Sequence, residues 1–89
     1  MPKLRTELSR RFMDDVAQIN SAAVAQRARK LIDHLSSFPD MGRITQSPTL
    51  SSRFGEGTRT LVCGNYLLVY RHTEEAIQVL ALYPARLVR

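Results

Sequence analysis

The stretch RTLVCGNYLLVYRHTEEAIQVLALYPAR, which begins at Arg59 and ends at Arg86, constrains the fold more than any other part of the chain. It contains three apolar runs separated by polar turns. Gly64 and Asn65 form a pair that suits a two-residue turn, because both tolerate positive φ. The runs predict strands over residues 59–63, 66–71 and 77–83. The sequence therefore predicts an antiparallel meander.

The three strands differ in how they alternate. The second is nearly all apolar, which is typical of a central strand covered on both faces. The third alternates, and alternation assigns its residues to two faces. One face would carry Ile77, Val79, Ala81 and Tyr83, and the other Gln78, Leu80 and Leu82.

Before the meander, apolar residues repeat at helical spacing in two segments. The first stripe consists of Phe12, Val16 and Ile19. The second consists of Val24, Ala28, Leu31, Leu35 and Phe38. Asn20 and Ser21 separate the two segments, and Pro39 ends the second because the residue before a proline is pushed out of helical geometry. So short a linker predicts an antiparallel helical pair.

The order of these elements predicts one α+β domain over residues 1–89, with an N-terminal α-helical hairpin packed on one face of a small antiparallel sheet. Residues 3–7 form either a short edge strand or a lead into the first helix. The connection from Phe38 to Arg59 is rich in serine, glycine and proline, which are typical of turns. Within it, a brief strand is weakly indicated at residues 43–45 or 50–54.

The charge balance favours an anionic partner. Thirteen basic residues oppose eight acidic ones, which gives a net charge of +5. Eleven of the basic residues are arginine, whose planar fork of donors matches phosphate and carboxylate groups. Nucleic acid and an acidic protein segment would both fit, and charge does not choose between them. A merely solubilising surface is the third interpretation.

Several kinds of site are disfavoured by composition. Cys63 is the only cysteine, so the chain has no internal disulfide and no cysteine-based zinc site. No clustered His, Cys and carboxylate set and no glycine-rich phosphate loop is visible, so we expect neither a metal nor a cofactor. There is no apolar signal region and no run of about 18 apolar residues. We therefore expect a cytoplasmic protein with no membrane partner.

Arginines stand at the ends of the predicted strands. Arg59 opens the first strand, Arg71 closes the second and Arg86 follows the third. In an up-down-up meander, Arg59 lies toward the Arg71 end, whereas Arg86 lies toward the turn at residues 63–66. Tyr83, near Arg86, suits a general acid/base or a platform on which a base stacks. Solvated arginines and a tyrosine packed at the edge of the core are the alternative.

Three segments together resemble the RelE/ParE superfamily of toxins from type II toxin–antitoxin pairs. LIDHLSSFPDMGR (residues 31–43) resembles the end of the second helix and the following turn of the ParE branch. RTLVCGNYLLVYR (residues 59–71) resembles the strand pair, and IQVLALYPAR (residues 77–86) resembles the closing strand. The FPDMGR turn places the chain closer to the ParE branch.

The resemblance implies two helices packed on a small antiparallel sheet, and one of two activities. ParE-like members poison DNA gyrase and are not known as enzymes. RelE-like members cleave messenger RNA on the ribosome without a metal. Both are silenced by a cognate antitoxin. We expect a ParE-like gyrase inhibitor; an mRNA endonuclease and a non-toxic basic module that binds nucleic acid or protein are the alternatives, so whether the chain is an enzyme stays open.

The resemblance also implies which residues act. As catalytic or target-contacting residues it implies Tyr83, Arg86, Arg59 and Arg71, with Arg53 and Arg43 as further contacts to nucleic acid or target. For the antitoxin contact we expect Leu31 and Leu35 on the second helix. The ribonuclease branch typically carries several lysines across the sheet, whereas the two lysines here lie outside the meander.

Overall fold

The computed structural model describes residues 4–88, which form three α-helices and a five-stranded sheet. In chain order the elements are β1 (Arg5–Leu8), α1 (Arg10–Ile19), α2 (Ala22–Ser37), β2 (Arg43–Ile44), α3 (Pro48–Phe54), β3 (Arg59–Cys63), β4 (Tyr66–His72), β5 (Ala76–Pro84) and a 3-10 turn (Ala85–Leu87). The α+β class, the helical pair and the meander are confirmed. Of the two alternatives for residues 3–7, the structure has the edge strand, as β1, and Lys3 lies outside the described residues.

The sheet has the order β1-β5-β4-β3-β2. Strands β2 to β5 pair antiparallel, as expected for a meander and its neighbour. β1, however, runs parallel to β5, with Arg5 opposite Ala76 and Leu8 opposite Val79, so the sheet is mixed. At the other edge, the two residues of β2 pair only with Arg59 and Thr60 of β3. Within residues 4–88, the rest of β3 therefore has no strand on its outer side.

Polar residues between the apolar stripes begin and end the first two helices. The Ser9 hydroxyl accepts a hydrogen bond from the Phe12 N–H and caps α1. Asn20 ends α1 in the left-handed conformation, with φ of 52°, which asparagine tolerates better than most residues. Ser21 then caps α2 through the Val24 N–H. The predicted helical pair therefore arises from local signals as well as from its apolar stripes.

The segment 50–54 belongs to a helix, so the strand indicated there is wrong. The signals of a helix start are present: Ser47 caps through the Leu50 N–H, and Pro48 occupies the first turn, where its missing N–H costs nothing. Gly55 ends the helix with φ of 95°. The other strand indicated in this connection is confirmed as β2.

Two hydrophobic cores lie on opposite faces of the sheet. The larger one joins the helical pair to the sheet, with Phe12, Leu35 and Tyr70 among its buried members. The smaller one lies under α3, where Leu50 packs against residues of β4 and β5. β4 is therefore covered on both faces, as its unbroken apolar run predicts.

β5 contains an extra residue at Leu80. Val69 of β4 pairs with Ala81, but the next residue of β4, Tyr70, pairs with Val79, so Leu80 has no partner in the ladder. Such a bulge bends the strand and changes the phase of its alternation.

The bulge divides the predicted face of β5. Ile77 and Val79 point to the helical pair, and so does Leu82, whereas Ala81 and Tyr83 pack on the α3 side. The prediction that Ile77, Val79, Ala81 and Tyr83 share one face is therefore wrong from Ala81 onward. One inserted residue leaves no recognisable signal within a run that is apolar on both sides.

α1 covers the edge of β5 beyond the end of β1. The Ser9 hydroxyl donates to the Leu80 carbonyl at 2.7 Å, and the Asp15 carboxylate accepts from the Leu82 N–H at 3.0 Å. No strand among the described residues pairs with this part of β5, and the two side chains take the place of such a partner. α1 therefore covers a sheet edge as well as forming part of the core layer.

Candidate functional site

The turn after α2, residues 39–43, is fastened to the sheet by Tyr70. This side chain is fully buried, and its hydroxyl donates to the Pro39 carbonyl and accepts from the Gly42 N–H, both at 2.8 Å. A Cβ on Gly42 would lie 2.6 Å from the same hydroxyl, so the close approach requires glycine. Burial raises the pKa of Tyr70, which keeps its phenol protonated. The FPDMGR turn thus has a structural role.

Arg59 and His72 hold the same turn through Asp40. Arg59 Nη1 donates to the Gly42 carbonyl at 2.7 Å, and Arg59 Nη2 lies 3.3 Å from Asp40 Oδ1. His72 Nε2 lies 2.9 Å from that same oxygen. The Arg59 side chain is 19% exposed. Its guanidinium is therefore engaged with the turn, and this geometry offers no support for the expected role of Arg59 in contacting a target.

Tyr83 lies beneath an arginine other than the expected one. The Arg11 guanidinium of α1 is 5.6 Å from the centroid of the Tyr83 ring and 5.6 Å from that of Phe54. Asp15 lies 3.6 Å from the Arg11 Nε. Arg11 therefore joins α1 to the α3 side of the molecule by cation–π contacts. Sequence reasoning missed it because the residues that meet here are far apart in the chain.

Three of the proposed contact arginines share the α3 side. Arg43 pairs with Thr60, which pairs with Val69 of the α3 core, so all three residues lie on one face. Arg53 is exposed in the last turn of α3. The Arg71 guanidinium lies beside Gly55 at the end of α3, with Nη1 3.6 Å from a Cβ built on that glycine.

Arg86 lies at the opposite end of the sheet from Arg71. It lines a hollow of about 480 Å³ with Gly64, Asn65 and Tyr66 of the β3–β4 turn. The meander topology predicts this separation. The structure therefore brings Arg43, Arg53 and Arg71 to one face, leaves Arg86 at the far end, and separates Arg59 from all of them through its contacts with the turn.

An apolar groove runs between β1, α1 and α2. Its volume is about 340 Å³, and Leu8, Phe12, Val16 and Ile32 supply apolar lining. Leu8 is 47% exposed in it. A groove of this kind fits an apolar face of a partner helix or an extended apolar segment.

The two leucines expected to contact an antitoxin lie elsewhere. Leu35 has 0% exposure and belongs to the core, so its side chain is not accessible to a partner, and the expectation is corrected for this residue. Leu31 is partly buried against the same core and does not line the groove. The apolar stripe of α2 correctly indicated an apolar face, but its spacing did not separate residues that meet the sheet from those that remain at the surface.

The remaining candidate residues do not form a reactive or metal-binding site within the described part of the chain. Cys63 is fully buried, with Sγ 3.8 Å from the Val24 carbonyl oxygen, and burial raises its pKa. Within residues 4–88, no three His, Cys, Asp or Glu residues are grouped so that they could hold a metal ion. No helix in the described part of the chain has the length and apolar character needed to cross a membrane.

A helical pair on a five-stranded mixed sheet, with an apolar groove on one side and exposed arginines on the other, defines a small basic α+β protein suited to macromolecular contacts. Residues 6–86 match the family model described as the ParE toxin of the type II toxin–antitoxin system, parDE. The chain belongs to the ParE toxin family, and the branch indicated by the FPDMGR turn is confirmed.

A solved structure shows the same fold. It is described as the chromosomal ParDE toxin–antitoxin system from P. aeruginosa, and it superposes with a TM-score of 0.67 over 92% of this chain and 96% of that chain. The two sequences are 18% identical, so the similarity concerns the fold. No curated protein sequence matches this chain.

Proposed function

We propose that this ParE-family toxin acts in the cytoplasm by inhibiting DNA gyrase, and that a cognate antitoxin silences it by binding the groove between β1, α1 and α2. The family match over residues 6–86 carries the proposal. The molecule offers separate surfaces for the two partners, since the groove and the arginines of the α3 side lie on opposite sides of the sheet.

The groove supports binding of an antitoxin. Burying apolar surface contributes roughly 25 cal/mol per Å², so covering the exposed Leu8 and its neighbours would favour a complex. Arg29 and Asp33 also line the groove, and neither forms an ion pair within residues 4–88. They are available to fix the orientation of a polar segment of the partner.

The arginines support binding of a target. Arg43, Arg53, Arg71 and Arg86 are exposed and have no carboxylate within ion-pair distance in the described part of the chain. We therefore propose these four as target contacts, with Arg43, Arg53 and Arg71 acting on one face. Tyr83 is half-buried beneath Arg11 and is proposed to support that face rather than to transfer protons.

The endonuclease alternative requires cations and a proton-transferring group gathered around one phosphate. Here Arg59 is engaged with Asp40, Tyr83 lies under Arg11, and Arg86 is at the far end of the sheet from Arg71. This arrangement fits a binding surface better than a nuclease centre, so gyrase inhibition is the better supported proposal.

Expression of the chain alone tests the proposal. We expect growth arrest in bacteria, inhibition of supercoiling by purified gyrase, and induction of DNA damage. Transcripts mapped by primer extension in the same cells should show no new cleavage. Codon-linked cuts together with unaffected supercoiling would reject gyrase in favour of the ribosome, and harmless expression of folded protein would reject toxic action.

A pair of matched variants tests the antitoxin site. Leu8 and Met13 are both exposed, but only Leu8 lines the groove. We expect Leu8→Asp to weaken co-purification with the antitoxin encoded beside the toxin gene, and Met13→Asp to leave it unchanged. Equal binding by both variants would place the antitoxin elsewhere.

A further inference from the structure

The face of the sheet that carries α3 is only partly covered. α3 packs on Val69 and Ala81, toward the β5 side. Val62 of β3 is opposite Leu67 in the β3–β4 ladder, and Leu67 is two residues from Val69, so all three share this face. Yet Val62 is 71% exposed, the largest exposed fraction among the large apolar side chains of residues 4–88.

An exposed valine in this place is unusual for a sheet that faces water. The wet face of an antiparallel sheet normally carries polar residues at alternate positions. Thr60 follows that rule, but Val62 and Leu67 do not. No element within residues 4–88 covers Val62, so its apolar surface is available to a second molecule.

A cation stands beside this apolar surface. Arg43 pairs with Thr60 and lines, with Leu67 and Val88, a hollow of about 410 Å³. Arg43 is exposed and takes part in no ion pair within the described residues. The hollow therefore combines apolar side chains such as Leu67 with polar side chains from residues 45–47 and 60 and with the Arg43 guanidinium, and it lies next to Val62 on the same face.

We propose that the Val62 face, defined by Val62, Leu67 and Arg43, docks an acidic patch on the surface of the target protein. The inference rests on the proposed function and assigns the surface that performs it. Arginine beside exposed apolar groups is the composition enriched at protein interfaces. The free guanidinium complements a carboxylate of the target, and Arg53 and Arg71 on the same side extend the positive field around it.

The observations favour a protein over a nucleic acid and over the antitoxin. Affinity for nucleic acid comes mainly from neutralised phosphates, to which Val62 and Leu67 would add nothing. The antitoxin is proposed to bind the groove on the other side of the sheet, and no residue of the Val62 face lines that groove. The toxin would thus bind target and antitoxin through different surfaces.

Two variants of the Val62 face and two controls test the inference. Arg43→Glu reverses the cation, and Val62→Glu places a carboxylate at an exposed position that makes no core contact. Lys30→Glu has the same charge change as Arg43→Glu, and Met13→Glu the same substitution type as Val62→Glu; both lie on the helical layer and are exposed. Circular dichroism and thermal unfolding would establish that all four variants fold.

The probe is purified DNA gyrase, titrated with toxin in a supercoiling assay. We expect each Val62-face variant to raise the half-inhibitory concentration at least ~10-fold, the effect of removing an important interface contact. Both controls should inhibit as the wild type does. All four should bind antitoxin with wild-type affinity.

The other results would overturn the inference in distinguishable ways. A folded wild-type chain that neither arrests growth nor inhibits gyrase would remove the proposed function and this inference with it. An active wild type whose Arg43→Glu and Val62→Glu variants keep full potency would remove the inference alone. Loss of antitoxin binding by these variants would identify the face as the antitoxin site. A dimer abolished by Val62→Glu would identify it as the contact with a second copy of the chain. Loss of binding to a short DNA duplex, with binding to DNA-free gyrase retained, would identify it as a nucleic-acid site.

Discussion

Replacing Tyr70 by phenylalanine removes one buried hydroxyl and leaves two backbone groups of the 39–43 turn without their partner. The Gly42 N–H donates to this hydroxyl, and the Pro39 carbonyl accepts from it. The ring itself stays in the larger core, so the change isolates the two hydrogen bonds from the packing. We expect the turn to loosen from the sheet and the free energy of unfolding to fall.

The magnitude follows from the burial of each partner. Gly42 is buried, and a buried donor left unsatisfied costs about 1–3 kcal/mol. Pro39 is partly exposed, so water can replace the hydroxyl at its carbonyl, and the loss there is about 0.5–1.5 kcal/mol. Together the two losses amount to about 1.5–4.5 kcal/mol. For a domain of this size, that corresponds to a fall in Tm of roughly 6–36 °C.

Urea denaturation followed by circular dichroism measures this change, and the m-value should stay constant. Tyr66→Phe is the matched control, because the Tyr66 hydroxyl forms no hydrogen bond with any other described residue. It should change stability by less than about 0.5 kcal/mol. A Tyr70→Phe variant as stable as this control would refute the view that the hydroxyl holds the turn.

Four further experiments follow, two on the contact between Tyr70 and the turn and two on other buried groups. Gly42→Ala should cost about 1–3 kcal/mol in urea denaturation, because its Cβ would lie 2.6 Å from the Tyr70 ring; an unchanged midpoint would mean that the turn can shift. Because the pKa of Tyr70 is raised in the folded chain, the unfolded chain releases the phenol proton first as the pH rises. The stability that Tyr70 contributes below pH 10.0 is therefore lost as the pH rises through the folded-state pKa. Urea midpoints measured against pH should show this loss, and the Tyr70→Phe variant should lack it. Cys63, buried and with a raised pKa, should react with iodoacetamide only after unfolding, so rapid labelling of the native chain would contradict its burial. Asp15→Ala should cost about 1–2 kcal/mol, because a β5 N–H loses its acceptor, whereas the exposed neighbour Asp14→Ala should be nearly neutral; equal effects would show that the edge contact contributes nothing.

Periodic signals made most of the fold predictable. The apolar stripes of α1 and α2 and the turn at Gly64-Asn65 depend on residues close together in the chain, and all three elements formed where the sequence indicated. The sequence indicates a strand at residues 50–54, where the structure has α3, because the segment contains too few apolar residues to show helical spacing. Ser47 and Pro48 were the usable signal, since a capping serine followed by proline marks a helix start.

The surface was less predictable than the fold. The strand-end positions of Arg59, Arg71 and Arg86 followed from the meander, but Arg59 proved to be engaged with Asp40, a residue from the preceding connection. Arg11 reaches Tyr83 across the edge of the sheet. These contacts join segments that are far apart in the chain, and neither periodicity nor composition predicts which of their side chains meet.

The position of β5 between the two cores has a consequence for how the molecule unfolds. Because side chains alternate between the faces of a sheet, with the phase shifted at the bulge, this one strand sends Val79 and Leu82 into the core of the helical pair and Ala81 into the core beneath α3. Neither layer can melt while the other stays intact, since both would lose the same strand. Amide protons of β4 and β5 should accordingly exchange with solvent in a single cooperative opening of the whole chain, irrespective of which layer their side chains occupy.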